Sequence, residues 1–437
     1  MRRTLFALTF LCAAAASSAQ TPRDTGVTII RAGRLFDSEK GTFAQNQMIR
    51  VKNNRIEAVG EKLDIPAGAR VIDLSHQTVL PGLIDAHTHL LYLEDPAAGD
   101  PILEGTKAVI MEGTPLRALH GAARARTFLA AGITTVRDLG NSGRFGDVAL
   151  RTAINDGSVD GPRMIVSGPA LSPVGGQFPG LLPGYEAIAE EEYRIVKNPD
   201  DAADAVRENV TFGADLIKIY SNNTPNRGSL SVAEMQAIVA AAKRLGVRVA
   251  AHATSDAAVW RAAYAGVNSV EHAYQVADST LALMAKNGVA LVATDLDSVS
   301  LGLYLDRSGA RTAAPRTPAA QFTKILEPTR DRLRRAMKAG VMIVAGSDNY
   351  INMGLPQGDA AKHNLFAYAE SGMPAVQILQ AATFNAARLL GREGRLGVLK
   401  ASAFADIVGV DGDPAANIHA LEKITFVMKD GTVYRRP

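Results

Sequence analysis

The sequence predicts an α/β protein: a (β/α)8 barrel of the TIM type, with a small β-sandwich domain assembled from both chain ends. Three observations carry this. Eight short apolar runs alternate with helical stretches through the middle of the chain, as parallel strands with crossover helices do. Short β-branched runs broken by turns fill residues 26–80, and the same texture returns after residue 400. Finally, 437 residues with 47% hydrophobic and 21% charged content describe an ordinary globular chain with a large core.

The chain opens with Arg2-Arg3, an apolar run from Leu5 to Ala16, and small residues ending at Ala19. This order reads as a signal peptide over residues 1–19, so the mature protein is expected to be secreted or periplasmic. The run is shorter than the roughly 20 residues of a membrane-spanning helix, so no membrane anchor is expected in the mature form. The paired arginines hint at twin-arginine export, a pattern common in ordinary leaders. Cys12 is the only cysteine. Its loss with the leader would exclude disulfides, cysteine-based zinc sites and thiol nucleophiles. Lys+Arg 47 against Asp+Glu 44 leaves a net charge of +3, which gives no footprint for nucleic acid or an anionic membrane. The expected partner is a small molecule, and a homo-oligomer is compatible with the sequence.

Residues 20–80 carry the first strands of the terminal sheet domain: Val27–Ile30, Met48–Val51, Arg55–Val59 and Arg70–Leu74, with hairpin chemistry at Lys52-Asn53-Asn54. Residues 81–392 form the barrel, with strands expected at Leu83–His87, Thr134–Asp138, Met164–Ser167, Leu216–Tyr220, Val247–His252, Ser269–His272, Ala290–Thr294 and Met342–Asp348. Thr254–Gly266 is a crossover helix rich in alanine. Residues 393–437 return to the sheet domain with Asp406–Val410, Ile424–Met428 and Val433-Tyr434. Long irregular stretches at 171–195, 221–230 and 296–328 are expected to make a lid. The basic run Arg330, Arg332, Arg334, Arg335 and Lys338 is expected to be a solvated helix face, with Leu333 and Met337 turned inward.

The chemistry gathers at strand ends, which form the active-site face of a parallel barrel. His87-Thr88-His89 sets two imidazoles on one side of an extended strand, because residues i and i+2 share a face. His252, His272 and Asp348 end other strands. A lone histidine is usually a satisfied core residue, and an Asp before Asn349 is usually a helix cap; four histidines at three strand ends favour metal. Lys218 lies inside the apolar run Leu216–Ile219, where an ammonium is expensive to bury without a partner. A carbamate on its amine would give an anion able to bridge two metals, and a salt-bridged barrel lysine is the plain alternative. Physical argument alone does not rank the two. No Gly-x-Ser-x-Gly elbow or phosphate-binding glycine loop occurs, which disfavours a serine hydrolase or a nucleotide enzyme. His76, His120 and His419 fall outside the constellation, and His363 follows the Asp348 loop.

Pro81-Gly82-Leu83-Ile84-Asp85-Ala86-His87-Thr88-His89, the Lys218 strand, His252 in Ala-His-Ala, His272 in Val-Glu-His-Ala and Asp348 in Gly-Ser-Asp closely resemble the amidohydrolase superfamily. Gly132–Asp138, Ala382–Ala387 and Phe404–Val408 extend the resemblance over nearly the whole mature chain. It is most similar to the imidazolonepropionase-related branch that contains Xaa-Pro-type dipeptidases with a carboxylated lysine. The resemblance implies two divalent metal ions, zinc the first choice. His87, His89 and Asp348 would hold the more buried ion and His252 and His272 the more exposed one, with carboxylated Lys218 and a hydroxide between them. Asp348 would act first as base, then as acid. The expected activity is hydrolysis of the amide of a dipeptide, Xaa-Pro among the candidates, or of an N-acyl amino acid. Cyclic amides, lactones or aromatic amide conjugates form the alternative, and a metal-free scaffold is disfavoured by the complete ligand set. Gln177 stands where relatives commonly carry a histidine in a Gly-Gly-His loop. Tyr220, on the Lys218 face of its strand, is a second candidate for substrate contact, with Arg137 and Arg163 as weaker ones for a carboxylate.

Overall fold

The computed structural model describes residues 26–99, 101–178, 180–223, 226–309 and 319–436. The expected leader, with Cys12, lies outside the described residues. The chain begins with β1 (Val27–Asp37), β2 (Thr42–Lys52), β3 (Arg55–Gly60) and β4 (Arg70–Pro81). β1 and β2 pair antiparallel with Ile30 opposite Ile49, and β4 joins β1 in parallel. Asn53 in the β2–β3 turn takes φ 54°, the left-handed conformation that Asn tolerates better than most residues.

The chain then enters the barrel without a linker. β5 (Leu83–Thr88), β6 (Ile133–Asp138) and β7 (Arg163–Val166) form a parallel three-stranded sheet. β8 (Ala170–Ser172), β9 (Tyr193–Ile195), β10 (Leu216–Tyr220), β11 (Arg248–Ala253), β12 (Ser269–His272), β13 (Ala290–Val292) and β14 (Ile343–Val344) form a parallel seven-stranded sheet in the order β14-β13-β12-β11-β10-β8-β9. Backbone hydrogen bonds join the two sheets at both junctions. Ala86 N donates to Ala345 O at 2.9 Å and Asp348 N to His87 O at 2.8 Å, while Asp215 N donates to Val166 O at 2.7 Å. All eight expected strands are present, in an arrangement consistent with a TIM barrel. Strands buried on both faces explain their unbroken apolar runs: Ile84, Ala86, Ala250, Val292 and Val344 share one core cluster, and a larger cluster lies between strands and helices. The alanine-rich crossover helix spans Asp256–Ala265, with Ala258, Ala262, Ala263 and Ala265 buried.

β15 (Ile407–Val410), β16 (Ile424–Lys429) and β17 (Thr432–Arg435) return to the first strands. The small sheet domain expected from both chain ends hydrogen-bonds in one order, β17-β16-β15-β4-β1-β2-β3, because β15 pairs directly with β4. A strap at residues 403–405 then ties the far ends together: Ile56 N donates to Ala403 O, Ala405 N to Asn54 O and Gly431 N to Ala405 O.

Two expectations are corrected. The stretches read as irregular contain β8, β9 and helices Glu186–Glu190, Ser298–Arg307 and the start of Ala319–Lys338. The basic helix is not simply a solvated face, because Arg330 and Arg332 are buried. Arg332 is paired with Asp295 and donates to His272 O at 2.8 Å, and Arg330 is paired with Glu370. Opposite carboxylates on neighbouring elements make burial of these guanidiniums favourable, and helical periodicity cannot reveal such partners. Among the described residues no helix is long and apolar enough to cross a membrane.

Candidate active site

His87 is the last but one residue of β5 and His89 follows the strand, and both imidazoles turn into one cavity of about 350 Å³ at the strand ends. Two buried carboxylates brace this end. Asp138 accepts from Thr88 Oγ1 and Leu90 N at 3.0 and 2.7 Å. Asp85 accepts from His87 N, Ser347 N and Ser347 Oγ at 3.1, 2.9 and 2.6 Å, which locks β5 to the turn carrying Asp348. Burial raises Asp85 to about 6 despite these bonds. Gly346 is required in that turn, since a Cβ there would meet Val292 Cγ1 at 2.3 Å and His87 Cβ at 2.9 Å. His272 and Asp348 both adopt positive φ, 73° and 52°, a strained choice for residues with side chains and one that clusters at functional sites.

The outer nitrogens of the first two histidines are committed. His89 Nδ1 lies 2.9 Å from Gly140 O and His87 Nδ1 lies 2.9 Å from the Glu271 carboxylate. Both partners are acceptors, so both Nδ1 atoms carry hydrogen in the neutral rings and both Nε2 atoms present lone pairs. These two Nε2 atoms are 3.3 Å apart. Asp348 Oδ1 lies 3.1 Å from His89 Nε2 and 3.5 Å from His87 Nε2, yet takes no well-formed hydrogen bond. Ligand atoms of His87, His89 and Asp348 all lie within 4.8 Å of one another. Converging lone pairs beside a carboxylate fit a divalent cation.

His252 and His272 stack edge-on beside this group, with ring centroids 4.7 Å apart, and His272 is 5.2 Å from His87. His252 Nε2 is buried without a hydrogen-bond partner. The second expected centre thus has two imidazoles of its own. Burial and then Lys218 lower His87, and lower His252 to about 3, while burial and the neighbouring histidines lower His272, so all three favour the neutral, ligating form. His89 is the exception: burial works against it, but contact with Asp348 holds it above its usual value. Burial raises the Asp348 carboxyl, and the combined pull of His87, His89 and Lys218 outweighs that, so the group stays ionised.

Lys218 is buried on β10, and among the described residues it makes no hydrogen bond or ion pair. Burial lowers it to about 8 against the opposing charges of Glu271 and Asp348. Its amine is therefore neutral in an appreciable fraction of molecules at neutral pH. Tyr220 and Gln177 line the same cavity, with the Tyr220 ring 4.8 Å from His252. Arg137 and Arg163 do not line it. Arg137 forks onto both Glu271 oxygens at 2.9 and 3.0 Å, and Arg163 faces Asp406 and Asp430 of the terminal sheet. His363 pairs with Asp297 at 2.7 Å.

Sequence pattern did not single out Glu271, although it stands in the Val-Glu-His-Ala run, nor the cavity wall of Tyr92, Glu94, Tyr274 and Tyr350. Only Glu271 had a visible signal, as an acid inside a buried strand.

A family model described as "Amidohydrolase family" matches residues 78–434. Among curated proteins, the chain is 28% identical to an ochratoxinase of Aspergillus niger, covering 94% of this chain and 87% of that one. It is 26% identical to an imidazolonepropionase of Symbiobacterium thermophilum, covering 88% and 91%. Among solved structures, a Xaa-Pro dipeptidase with bound methionine in the active site superposes with a TM-score of 0.79 at 28% identity, covering 94% of this chain and all of the other.

Proposed function

The chain belongs to the amidohydrolase family and is a hydrolase acting on carbon–nitrogen amide bonds; from that premise we propose an exported enzyme that uses two divalent metals to cleave a dipeptide, Xaa-Pro among the candidates, or an N-acyl amino acid. The observation that carries this reading is the convergence of His87, His89, Lys218, His252, His272 and Asp348 on one cavity. His87, His89 and Asp348 would hold one ion and His252 and His272 the other, with carboxylated Lys218 between them; zinc is the first choice. Divalent metals held there would acidify a water and polarise a carbonyl.

The remaining work falls to side chains. Asp348, held ionised among histidines, accepts the proton given up as a water oxygen bonds to the carbonyl carbon. It returns that proton to the nitrogen as the C–N bond breaks, so the carboxylate is regenerated. Tyr220 and Gln177 offer polar groups to hold the substrate beside it. The export part of the reading rests on the Arg2-to-Ala19 leader pattern.

A second reading is hydrolysis of an aromatic amide conjugate. The aromatic lining of the cavity, which includes Tyr92, Phe178, Tyr193 and Tyr274, favours it, as does the similarity to a protein named ochratoxinase. Elemental analysis of the purified protein, followed by free amino acid release from a panel of Xaa-Pro, Xaa-hydrophobic and Xaa-basic dipeptides and N-acyl amino acids, tests both. Two metals and release are expected. Two metals with no release would overturn the dipeptide and N-acyl reading in favour of aromatic conjugates. A metal-free protein that resists reconstitution would overturn the metal assignment.

A further inference from the structure

Among the described residues two glutamates line the cavity, and one of them, Glu192, is held by Arg117. Asp95 and Glu104, adjacent in sequence to lining residues, pair with Arg307 and Lys107. Glu94 lines the cavity and is only 9% exposed, yet among the described residues its carboxylate makes no hydrogen bond and no ion pair. A carboxylate that faces a cavity with no cation of its own is a place where a ligand's positive charge is favoured.

Its position is fixed by backbone bonds. Glu94 N donates to Tyr350 O, and Asn352 N donates to Glu94 O, both at 2.8 Å. Glu94 is thereby pinned to the segment that leaves Asp348. The Tyr350 ring is 5.8 Å from His89 and 5.7 Å from Tyr92, so a run of rings leads from the histidines toward Glu94. Among the described residues that line the cavity, Lys218 is the only Lys or Arg, and it lies on β10 beside Tyr220. Burial and then Glu104 raise the Glu94 carboxyl, the strain of a charge without a counter-ion. A carboxylate that shares a cavity with tyrosine rings is the complement of an ammonium or guanidinium, which donates a charge-assisted hydrogen bond to the one and makes a cation–π contact with the other.

We propose that Glu94, with Tyr92 and Tyr350, forms a recognition subsite for a cationic group of the substrate, an ammonium or guanidinium set apart from the scissile amide. This rests on the amide-hydrolase reading of the same cavity and narrows its substrate class to cationic amides. The cation has two sources, a free N-terminal amine or a basic side chain.

Matched substrate pairs separate them: Ala-Arg against Ala-citrulline, where a urea replaces the guanidinium, and Ala-Phe against acetyl-Ala-Phe. In at least one pair the metal-loaded full chain should favour the cation by roughly tenfold or more in kcat/KM, the ratio expected of one charge-assisted bond. Glu94→Gln should bring that ratio to within about twofold, and Glu94→Asp, which keeps the charge, should retain most of it. Equal rates in both wild-type pairs, or a preference that survives Glu94→Gln, would overturn the proposal. If neither pair is turned over, the hydrolase reading of these substrates fails, and calorimetry with acetyl-arginine against acetyl-citrulline and with alaninamide against acetyl-alaninamide decides the subsite. Tighter binding of the cation in at least one pair that disappears in Glu94→Gln upholds it, and equal binding in both pairs overturns it.

Discussion

His87 illustrates how much of a ligand lies behind the ligand. Its Nδ1 is held by Glu271, which Arg137 grips through both oxygens and Ser269 Oγ contacts at 2.5 Å, all four side chains being buried. Such outer partners fix the tautomer and raise the basicity of the ligating nitrogen. Glu271→Gln keeps the shape but removes the charge, and should weaken metal binding by roughly 10–100-fold in chelator competition; unchanged affinity would show that Glu271 only fills space. Lys218→Ala should lower metal content and activity together, with partial rescue by a short-chain carboxylic acid that enters the vacated space. Retention of both metals would refute a bridging role for this lysine. The residue types at the strand ends were legible from spacing, whereas Glu271 lies 184 positions from His87 and nothing local links them.

At the scale of elements, the strand ends are aligned by carboxylates that cross between neighbours. Asp147, in the first turn of helix Gly146–Asn155, accepts from Val148 N at 2.8 Å and from Gly168 N at 2.9 Å, and so ties that helix to the loop after β7. Burial, with the charge of Asp138 added, raises Asp147 to about 7, against about 3.9 in an unfolded chain. Between these values the folded protein keeps a proton that the unfolded chain releases. The contribution of Asp147 to stability is therefore full below about pH 4 and is lost as pH rises through 7. Asn does not titrate, so the melting temperature of Asp147→Asn relative to wild type should climb from about pH 5 to about pH 8. A difference that stays constant with pH would show that Asp147 does not titrate in this window. Strand positions followed from apolar runs bounded by turns, but β8 and β9 are only three residues long, too short for a periodic pattern to declare itself.

At the scale of the molecule, barrel and terminal sheet meet at a charged junction. Arg163 on β7 lies 3.2 Å from Asp406 and 2.6 Å from Asp430, with its guanidinium 3.9 Å above the Phe404 ring. Arg163→Ala strands the buried Asp406 without its cation, and should cost about 3 kcal/mol or more, read as a lower urea midpoint. A midpoint within experimental error of wild type would mean that the two parts are held together without this junction. The sequence by itself determined the α/β pattern, the eight strands, the building of one sheet domain from both chain ends, and the candidate metal-ligating residue types, because each is written in local periodicity or in residue type at a strand end. Tertiary structure alone decided that Arg137 grips Glu271 rather than facing the cavity, that Arg332 is buried, that the terminal sheet is one continuous order, and that Glu94 lines the cavity. Each of these depends on which side chain from a distant segment arrives opposite, and a charge in a sequence does not carry the identity of its partner.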